Sequence, residues 1–442
     1  MDNKIVLKKK ITSFSKKITI PGDKSISIRW VLISSLANGI SKATNLLMSE
    51  DVIASIQAIR KLGVKVIVKN DICKIYGVGV RGYKYKKNVS INARNSGTLG
   101  RLISGILVDT PFPIKIIGDK SLSKRDFKRI AKPLTKFGAS FHLRNNCNLP
   151  LIIKGSQKLK PIKFFENKGS AQCKSSIIFA GIKANGTTFI KAKKSRNHTE
   201  ILCKYLNLPI KLKSKKNYDY IEIKKAKKIK PLNYNIPSDI SSSAFFIVLT
   251  LLSKNSKMTI KNVNINPSRT GVIHILNMMG SKITFSNIKK YKGEKIADIK
   301  IKSVNNFKSI NCPTNLNSSA IDEFLIIFLI AARAKGISKF KDLSELNHKE
   351  SPRLDWGAKI LNLMGVKTIK TKNSIQIYGN PNLNVKKEII IKNYLKDHRV
   401  FMTSVIAALT FGGKWKIYDK DSINSSFPNF IKIIKNLGAK LN

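Results

Sequence analysis

Lys24, Ser25 and Arg29 stand close together in the stretch "ITIPGDKSISIRW" (18–30), just after Pro21, Gly22 and Asp23. An alternating apolar segment, a tight turn and the start of a helix are what this order of residues predicts. Lysine offers a point charge, arginine a planar fork and serine a hydroxyl, and a helix N-terminus adds fixed N–H donors. The chemistry such a set serves is the binding of an anion; the plainer alternative is a solvated helix cap. The spacing of a phosphate-binding P-loop is missing. "GVGVRG" (77–82) does fit G-x-G-x-x-G, but no helical apolar period follows it and no acid lies about 20 residues on, so it reads as a glycine-rich β-turn. The sequence also lacks G-x-S-x-G, HExxH and any His/Cys cluster with metal-ligand spacing.

Composition says which other residues to weigh. The chain has 442 residues and a formal net charge of +58. Lys, Ile and Asn dominate it, all with AT-rich codons, and the lysines are spread along nearly the whole chain. Codon drift explains that spread better than a nucleic-acid function does. Aromatic residues make up 8% and do not alternate with the basic runs, so no nucleic-acid partner is expected. The same bias makes arginine informative, because only 13 of the 83 basic residues are Arg. Where lysine serves, drift replaces arginine; those that persist should be enriched at bidentate contacts to phosphate or carboxylate. Arg29, Arg101, Arg125, Arg196, Arg353 and Arg399 become candidates. Acids are scarce too, 25 against 83 basic residues. Asp322 heads the apolar run "FLIIFLIAA", and Glu350 lies between Lys349 and Arg353. Taken alone, the first reads equally as a helix N-cap and the second as an i,i+3 ion pair.

The elements that must position these residues repeat. A helix-like apolar run ending in a short turn recurs six times, at Gly63, Gly138, Pro209, Gly280, Gly365 and Gly438, with spacings of 75, 71, 71, 85 and 73 residues. Glycine is the expected residue just past a helix, and the β-branched residues that follow predict a strand. Each unit has room for two helices and three or four strands, and six units suggest two domains of three. The natural boundary lies near "NYNIPSDISSSAFF", where Pro237 precedes a new helix. Apolar runs at 244–252 and 324–332 are about half the length of a membrane span. The basic N-terminal stretch has no apolar core of the kind a signal peptide needs. Five dispersed cysteines, with no C-x-x-C, read as free thiols in a reducing cytoplasm.

Further stretches share the opening pattern: "ARNSGTLGRLISG" (93–105), "IGDKSLSKRDFKRIAKPL" (117–134), "GSAQCKSSIIFAG" (169–181), "KSRNHTE" (194–200), "NPSRTG" (266–271), "AIDEF" (320–324), "HKESPR" (348–353), "DHRVFM" (397–402) and "SSFPNF" (425–430). In this order they resemble the EPSP synthase (3-phosphoshikimate 1-carboxyvinyltransferase) family of enolpyruvyl transferases, from about Ile18 to the C-terminus. The resemblance implies an α/β fold of two domains, each of three βαβαββ-type repeats, around an interdomain cleft. The expected division is 1–20 with 239–442, carrying both termini, and an inserted domain of 21–238. The implied reaction moves the enolpyruvyl group of phosphoenolpyruvate onto the 5-hydroxyl of shikimate 3-phosphate and releases phosphate, with no metal or organic cofactor. A cytoplasmic monomer with small-molecule partners is expected, and the herbicide glyphosate competes for the phosphoenolpyruvate site of this family.

Residue by residue, the resemblance assigns Lys24, Ser25, Arg29, Ser170, Ala171, Gln172, Arg196, Asp322 and Lys349 to shikimate 3-phosphate. It assigns Lys24, Gly97, Arg125, Gln172, Arg353 and Arg399 to phosphoenolpyruvate. Asp322 and Glu350 become the acid–base pair, with Lys24 beside them as a catalytic lysine. The chain departs from the family pattern at Ile28, Asp126, Asn197, Pro352 and Ser425. Pro352 matters most, because a proline inside a helix would break the segment that carries Glu350 and Arg353. A sister family transfers the same group to UDP-N-acetylglucosamine, and many of its members carry a reactive cysteine in a glycine-rich loop. None of the five cysteines here has that setting.

Overall fold

A computed structural model describes residues 3–441. The chain divides into two compact units, one of Met1–Pro21, Pro237–Lys290 and Lys295–Asn442, the other of Gly22–Ile236 with Tyr291–Glu294. Among the described residues there are six sheets, five of four strands and one of three. The fold is mixed α/β.

Two complete copies of the repeating unit follow one another within the second of these units. Strand Ser90–Asn92, helix Gly97–Ile106, strand Ile114–Ile117, helix Lys128–Thr135 and the hairpin Ser140–Arg144 with Asn148–Lys154 form one βαβαββ repeat. Lys163–Glu166, Ala171–Gly181, Thr187–Lys193, His198–Tyr205, Ile210–Lys215 and Tyr218–Lys224 form the next. In both, the first two strands pair in parallel and the rest antiparallel.

Where a repeat lacks a strand, a distant segment supplies it. Tyr234–Asn235 adds in parallel to Asn38–Thr44, closing the first sheet. Ser15–Thr19 adds in parallel to Lys257–Asn264, and Lys4–Leu7 pairs antiparallel with Lys414–Tyr418. The N-terminal segment thus completes two sheets of the unit that holds the C-terminal half.

The first helix of each repeat is the buried one. In Ile240–Leu252, Phe324–Arg333 and His398–Phe411 nearly every residue is buried, as befits helices apolar all round. The second helix of each repeat ends as the glycine rule requires: Gly63, Gly138, Gly280, Gly365 and Gly438 all have φ between +85° and +105°. The third repeat differs from the expected pattern. Its left-handed residue is Asn207, at φ 54°, rather than Pro209, whose ring forbids positive φ. Asn is the usual second choice at such a position. "GVGVRG" lies at the end of strand Ile72–Val78, with Gly79 at φ 85° in the turn that follows.

Candidate active site

The residues singled out in the sequence fall into two groups, each within one unit, and most lie at the start of a buried helix. Helix Lys24–Ser35 opens on Asp23, whose side chain accepts from the Ile26 N–H at 2.9 Å. Lys24 Nζ lies 3.1 Å from Asp51 Oδ2. Arg29 points inward instead of sharing a solvent face with Lys24. It is 3% exposed and donates to Thr199 Oγ1 at 2.7 Å, Ser175 Oγ at 3.1 Å and the Ser25 carbonyl at 3.0 Å. It therefore joins three helices of its unit and holds the backbone of Ser25.

Helix Gly97–Ile106 opens on Ser96, whose hydroxyl accepts from the Leu99 N–H at 3.2 Å. Helix Ala171–Gly181 opens on Ser170, whose hydroxyl accepts from the Cys173 N–H at 3.2 Å. The Ser170 N–H in turn donates to Glu166 at 2.9 Å. Gln172 bridges these two helices. Its Oε1 accepts from Arg101 Nη1 at 2.5 Å, and its Nε2 donates to Thr98 Oγ1 at 3.0 Å. Arg125 donates to Asn95 Oδ1 at 2.6 Å. A Cβ built on Gly97 would sit 3.3 Å from an Nη1 of both Arg101 and Arg125, so the bare glycine lets two guanidinium groups converge on one backbone position. Arg196 is half-buried in the loop before helix His198–Tyr205.

The other group surrounds one guanidinium. Arg353, 2% exposed, donates through Nε to Asp397 at 2.9 Å and through Nη1 to Asp322 at 3.2 Å, and Nη2 makes a short bond to Glu350. Lys349 Nζ lies 3.4 Å from the same Asp322 oxygen. Arg399 donates to the Asp322 carbonyl at 2.6 Å and lies 3.8 Å from Glu323. Burial works against the Arg353 charge, but Asp397, Glu350 and Asp322 outweigh it and raise its pKa further. Burial likewise opposes the Asp397 carboxylate, and Arg353 overrides it and holds Asp397 below the usual Asp range.

Asp322 is not a helix cap. The cap of helix Phe324–Arg333 is Glu323, and Asp322 stands in the turn before it with its carboxylate turned to Arg353 and Lys349. The i,i+3 pair of Glu350 with Arg353 does form. Pro352 is the N-cap of helix Arg353–Leu363, outside its hydrogen-bonded interior, so it breaks nothing. Among the described residues no group of three or more His, Cys, Asp or Glu side chains could hold a metal ion, and no helix is long and apolar enough to cross a membrane.

The model of the EPSP synthase (3-phosphoshikimate 1-carboxyvinyltransferase) family matches residues 8–434. The chain belongs to that family. It is 40% identical to a 3-phosphoshikimate 1-carboxyvinyltransferase of Ruthia magnifica subsp. Calyptogena magnifica, over 98% of each chain. It is 37% identical to one of Streptococcus mutans, over 98% of this chain and 99% of that one. A solved EPSP synthase of Acinetobacter baumannii superposes with a TM-score of 0.87 at 35% identity, over 99% of both chains. An enolpyruvyl transferase of Streptomyces tendae shares the fold at 12% identity and a TM-score of 0.78.

The departures from the EPSP synthase pattern are absorbed locally. Ile28 is fully buried in the core. The Asp126 side chain accepts from the Lys128 N–H at 2.7 Å, and its carbonyl accepts from Arg101. Asn197 occupies the N-cap position of helix His198–Tyr205. Ser425 Oγ lies 3.3 Å from His398 Nδ1. One residue stands out that the sequence alone gave no site role, and one candidate arginine finds its partner. Asp397 holds Arg353, and its place directly before "HRVFM" at a helix start was the available signal. Arg101 holds Gln172, a tie between helices whose residues are 71 positions apart.

Proposed function

We propose that this chain transfers the enolpyruvyl group of phosphoenolpyruvate to the 5-hydroxyl of shikimate 3-phosphate, a step of aromatic amino-acid biosynthesis. Besides family membership, one observation carries the assignment of roles: Asp322 and Glu350 share one buried guanidinium. Two carboxylates held by the same cation are poised to part company when an anionic ligand competes for it. A phosphate or carboxylate of the substrates drawing on Arg353 and Arg399 would loosen Glu350 and Asp322 for proton transfer.

Glu350 then delivers a proton to the methylene carbon of phosphoenolpyruvate, making C2 electrophilic. The 5-hydroxyl adds at C2 while Asp322 takes its proton, giving a tetrahedral intermediate. Glu350 removes a proton from the new methyl group as phosphate leaves, and the carbon–carbon double bond is restored. Lys24, Ser25, Arg29, Ser170, Gln172, Arg196 and Lys349 serve the shikimate phosphate side, Ala171 contributing the backbone start of its helix. Lys24, Gly97, Arg125, Gln172, Arg353 and Arg399 serve phosphoenolpyruvate. Arg29 and Arg353 are nearly buried, so each acts as much by fixing its neighbours as by touching ligand. We place the reaction in the cytoplasm, catalysed by a monomer; the free thiols suit a reducing compartment.

The test is phosphate release from phosphoenolpyruvate. It should require shikimate 3-phosphate and continue in the presence of a chelator. Release supported by UDP-N-acetylglucosamine instead would overturn the reading.

A further inference from the structure

The outward face of one sheet has no part in this chemistry. Strands Lys163–Glu166, Thr187–Lys193, Tyr218–Lys224 and Ile210–Lys215 lie side by side, and their register fixes what shares that face. Phe165, Lys191, Tyr220 and Lys213 form one row across the four strands. Lys163, Phe189, Glu222 and Lys211 form the next, and Lys193, Tyr218 and Lys215 a third. The alternate residues, such as Ile190, Ala192, Ile221 and Ile223, are buried.

Two features separate this face from the general lysine excess of the chain. Among the described residues only four aromatic side chains are more than about a third exposed: Phe165 at 48%, Phe189 at 40%, Tyr205 at 39% and Tyr220 at 38%. Three of the four are here, and drift toward lysine codons does not gather exposed rings on one sheet. The charge is also one-sided, with Glu222 the single acid in the three rows. Lys191 sits among the rings, 5.0 Å from the centroid of Phe165, 4.8 Å from Tyr218 and 5.9 Å from Tyr220. Phe165 and Tyr218 lie 5.7 Å apart, centroid to centroid.

We propose that this face binds single-stranded nucleic acid, RNA in the first instance, with the rings stacking bases and the lysines meeting phosphates. Strands about 4.8 Å apart make a four-stranded face about 15 Å across, room for a few unstacked bases. Stacking on exposed rings of a four-stranded sheet is a sequence-tolerant mode of RNA recognition, and flanking ammonium groups supply the salt-dependent part. Charge complementarity selects an anionic partner, and the interleaved rings select one with flat faces between its charges. An anionic membrane surface has the charge without the flat faces. Along the chain the rings are dispersed at 165, 189, 218 and 220, so only the strand register reveals the arrangement. The proposal is independent of the enzymatic reading.

Fluorescence anisotropy with a labelled 20-nucleotide oligouridylate tests it, alongside a duplex of the same length and vesicles containing anionic lipid. The variants are Phe165→Ala with Tyr220→Ala, Lys191→Ala with Lys213→Ala, and, as a control elsewhere, Lys308→Ala with Lys335→Ala. The single strand should bind more tightly than the duplex. The ring variant should lose roughly tenfold or more in affinity with an unchanged salt slope, as expected for lost stacking. The Lys191/Lys213 variant should show a shallower salt slope. Turnover should be unchanged in all three, which also reports on folding. Ring variants that bind like wild type, a control pair that weakens binding as much as Lys191/Lys213, or ring-dependent binding to vesicles but not to RNA would each overturn the proposal.

Discussion

Asp397 grips Arg353 by two bonds, Nε to Oδ2 at 2.9 Å and Nη2 to Oδ1 at 3.3 Å, with both side chains almost wholly out of water. Asp397 also caps helix His398–Phe411, accepting from the Arg399 N–H at 2.9 Å, and receives the Ser351 hydroxyl. One carboxylate thereby fixes the guanidinium that holds Glu350 and Asp322 and the start of the helix that carries Arg399. Asp397→Asn keeps the shape and removes the charge. It should cost about 1.5–3 kcal/mol of stability, because Arg353 keeps Glu350 and Asp322 but loses its doubly bonded, fully buried partner.

The same pair sets an acid limit. Asp397 is held below its ordinary range in the folded protein, so its contribution is present above the unfolded value near ~4 and is lost as pH falls through the lower folded value. Wild type should lose stability toward pH 3 more steeply than Asp397→Asn. Urea midpoints at pH 7 and pH 3 for the two proteins check both expectations, and parallel pH curves would remove the pair from the account.

Glu350→Gln and Asp322→Asn each keep hydrogen-bonding capacity toward Arg353 while removing a proton-transfer group. Each should lower turnover by roughly 10²–10⁴-fold, the range for a positioned acid or base. Circular dichroism should be unchanged. Near-wild-type turnover in either variant would falsify the role given to that residue.

Arg125→Lys and Arg399→Lys test whether the scarce arginines stand where lysine cannot serve. Lysine would lose the planar fork that meets Asn95 from Arg125, or the Asp322 carbonyl from Arg399. Each change should weaken phosphoenolpyruvate binding by about 1.5–3 kcal/mol. Lys→Arg changes in the run Lys8–Lys10 serve as the comparison and should leave the Michaelis constants alone. Equal constants across all these variants would undo the argument from arginine scarcity.

Much of this was legible in the sequence because it rests on local chemistry. Glycine past a helix end, serine and aspartate at helix starts, and the i,i+3 pair of Glu350 with Arg353 all depend on neighbours along the chain. What was not legible depends on distant partners. Arg29 looks like a surface base beside Lys24, yet Thr199 and Ser175 draw it inward. Asp322 looks like a cap until Arg353 and Lys349 are placed beside it. Pro352 looks disruptive until the helix is seen to begin at Arg353. The third repeat hid its left-handed residue because Asn207 does the work that glycine does in the other five.

Gly97 makes the most specific forecast. It is the first residue of helix Gly97–Ile106, and an added methyl would lie 3.3 Å from Nη1 of Arg101 and of Arg125 and 3.6 Å from Leu122 Cδ1. Those guanidinium ends can give by a few tenths of an ångström, so Gly97→Ala should fold and turn over. The shift nonetheless moves Arg125, assigned here to phosphoenolpyruvate, and Arg101, which holds Gln172. Glyphosate, which competes for the phosphoenolpyruvate site in this family, is longer than the substrate and would have less spare room there. Wild type should therefore be inhibited competitively with phosphoenolpyruvate, and Gly97→Ala should lose more affinity for the inhibitor than for the substrate. The gap should be about 1–3 kcal/mol, the value of one methyl-sized misfit in a pocket. Adding Arg101→Lys separates the two routes: if the methyl acts by pushing Arg101, the second change should shrink the gap, and if it acts by filling space, the gap should stay. Inhibition constants measured against varied phosphoenolpyruvate decide it, and an unchanged constant in Gly97→Ala would mean that this helix start does not face the ligand.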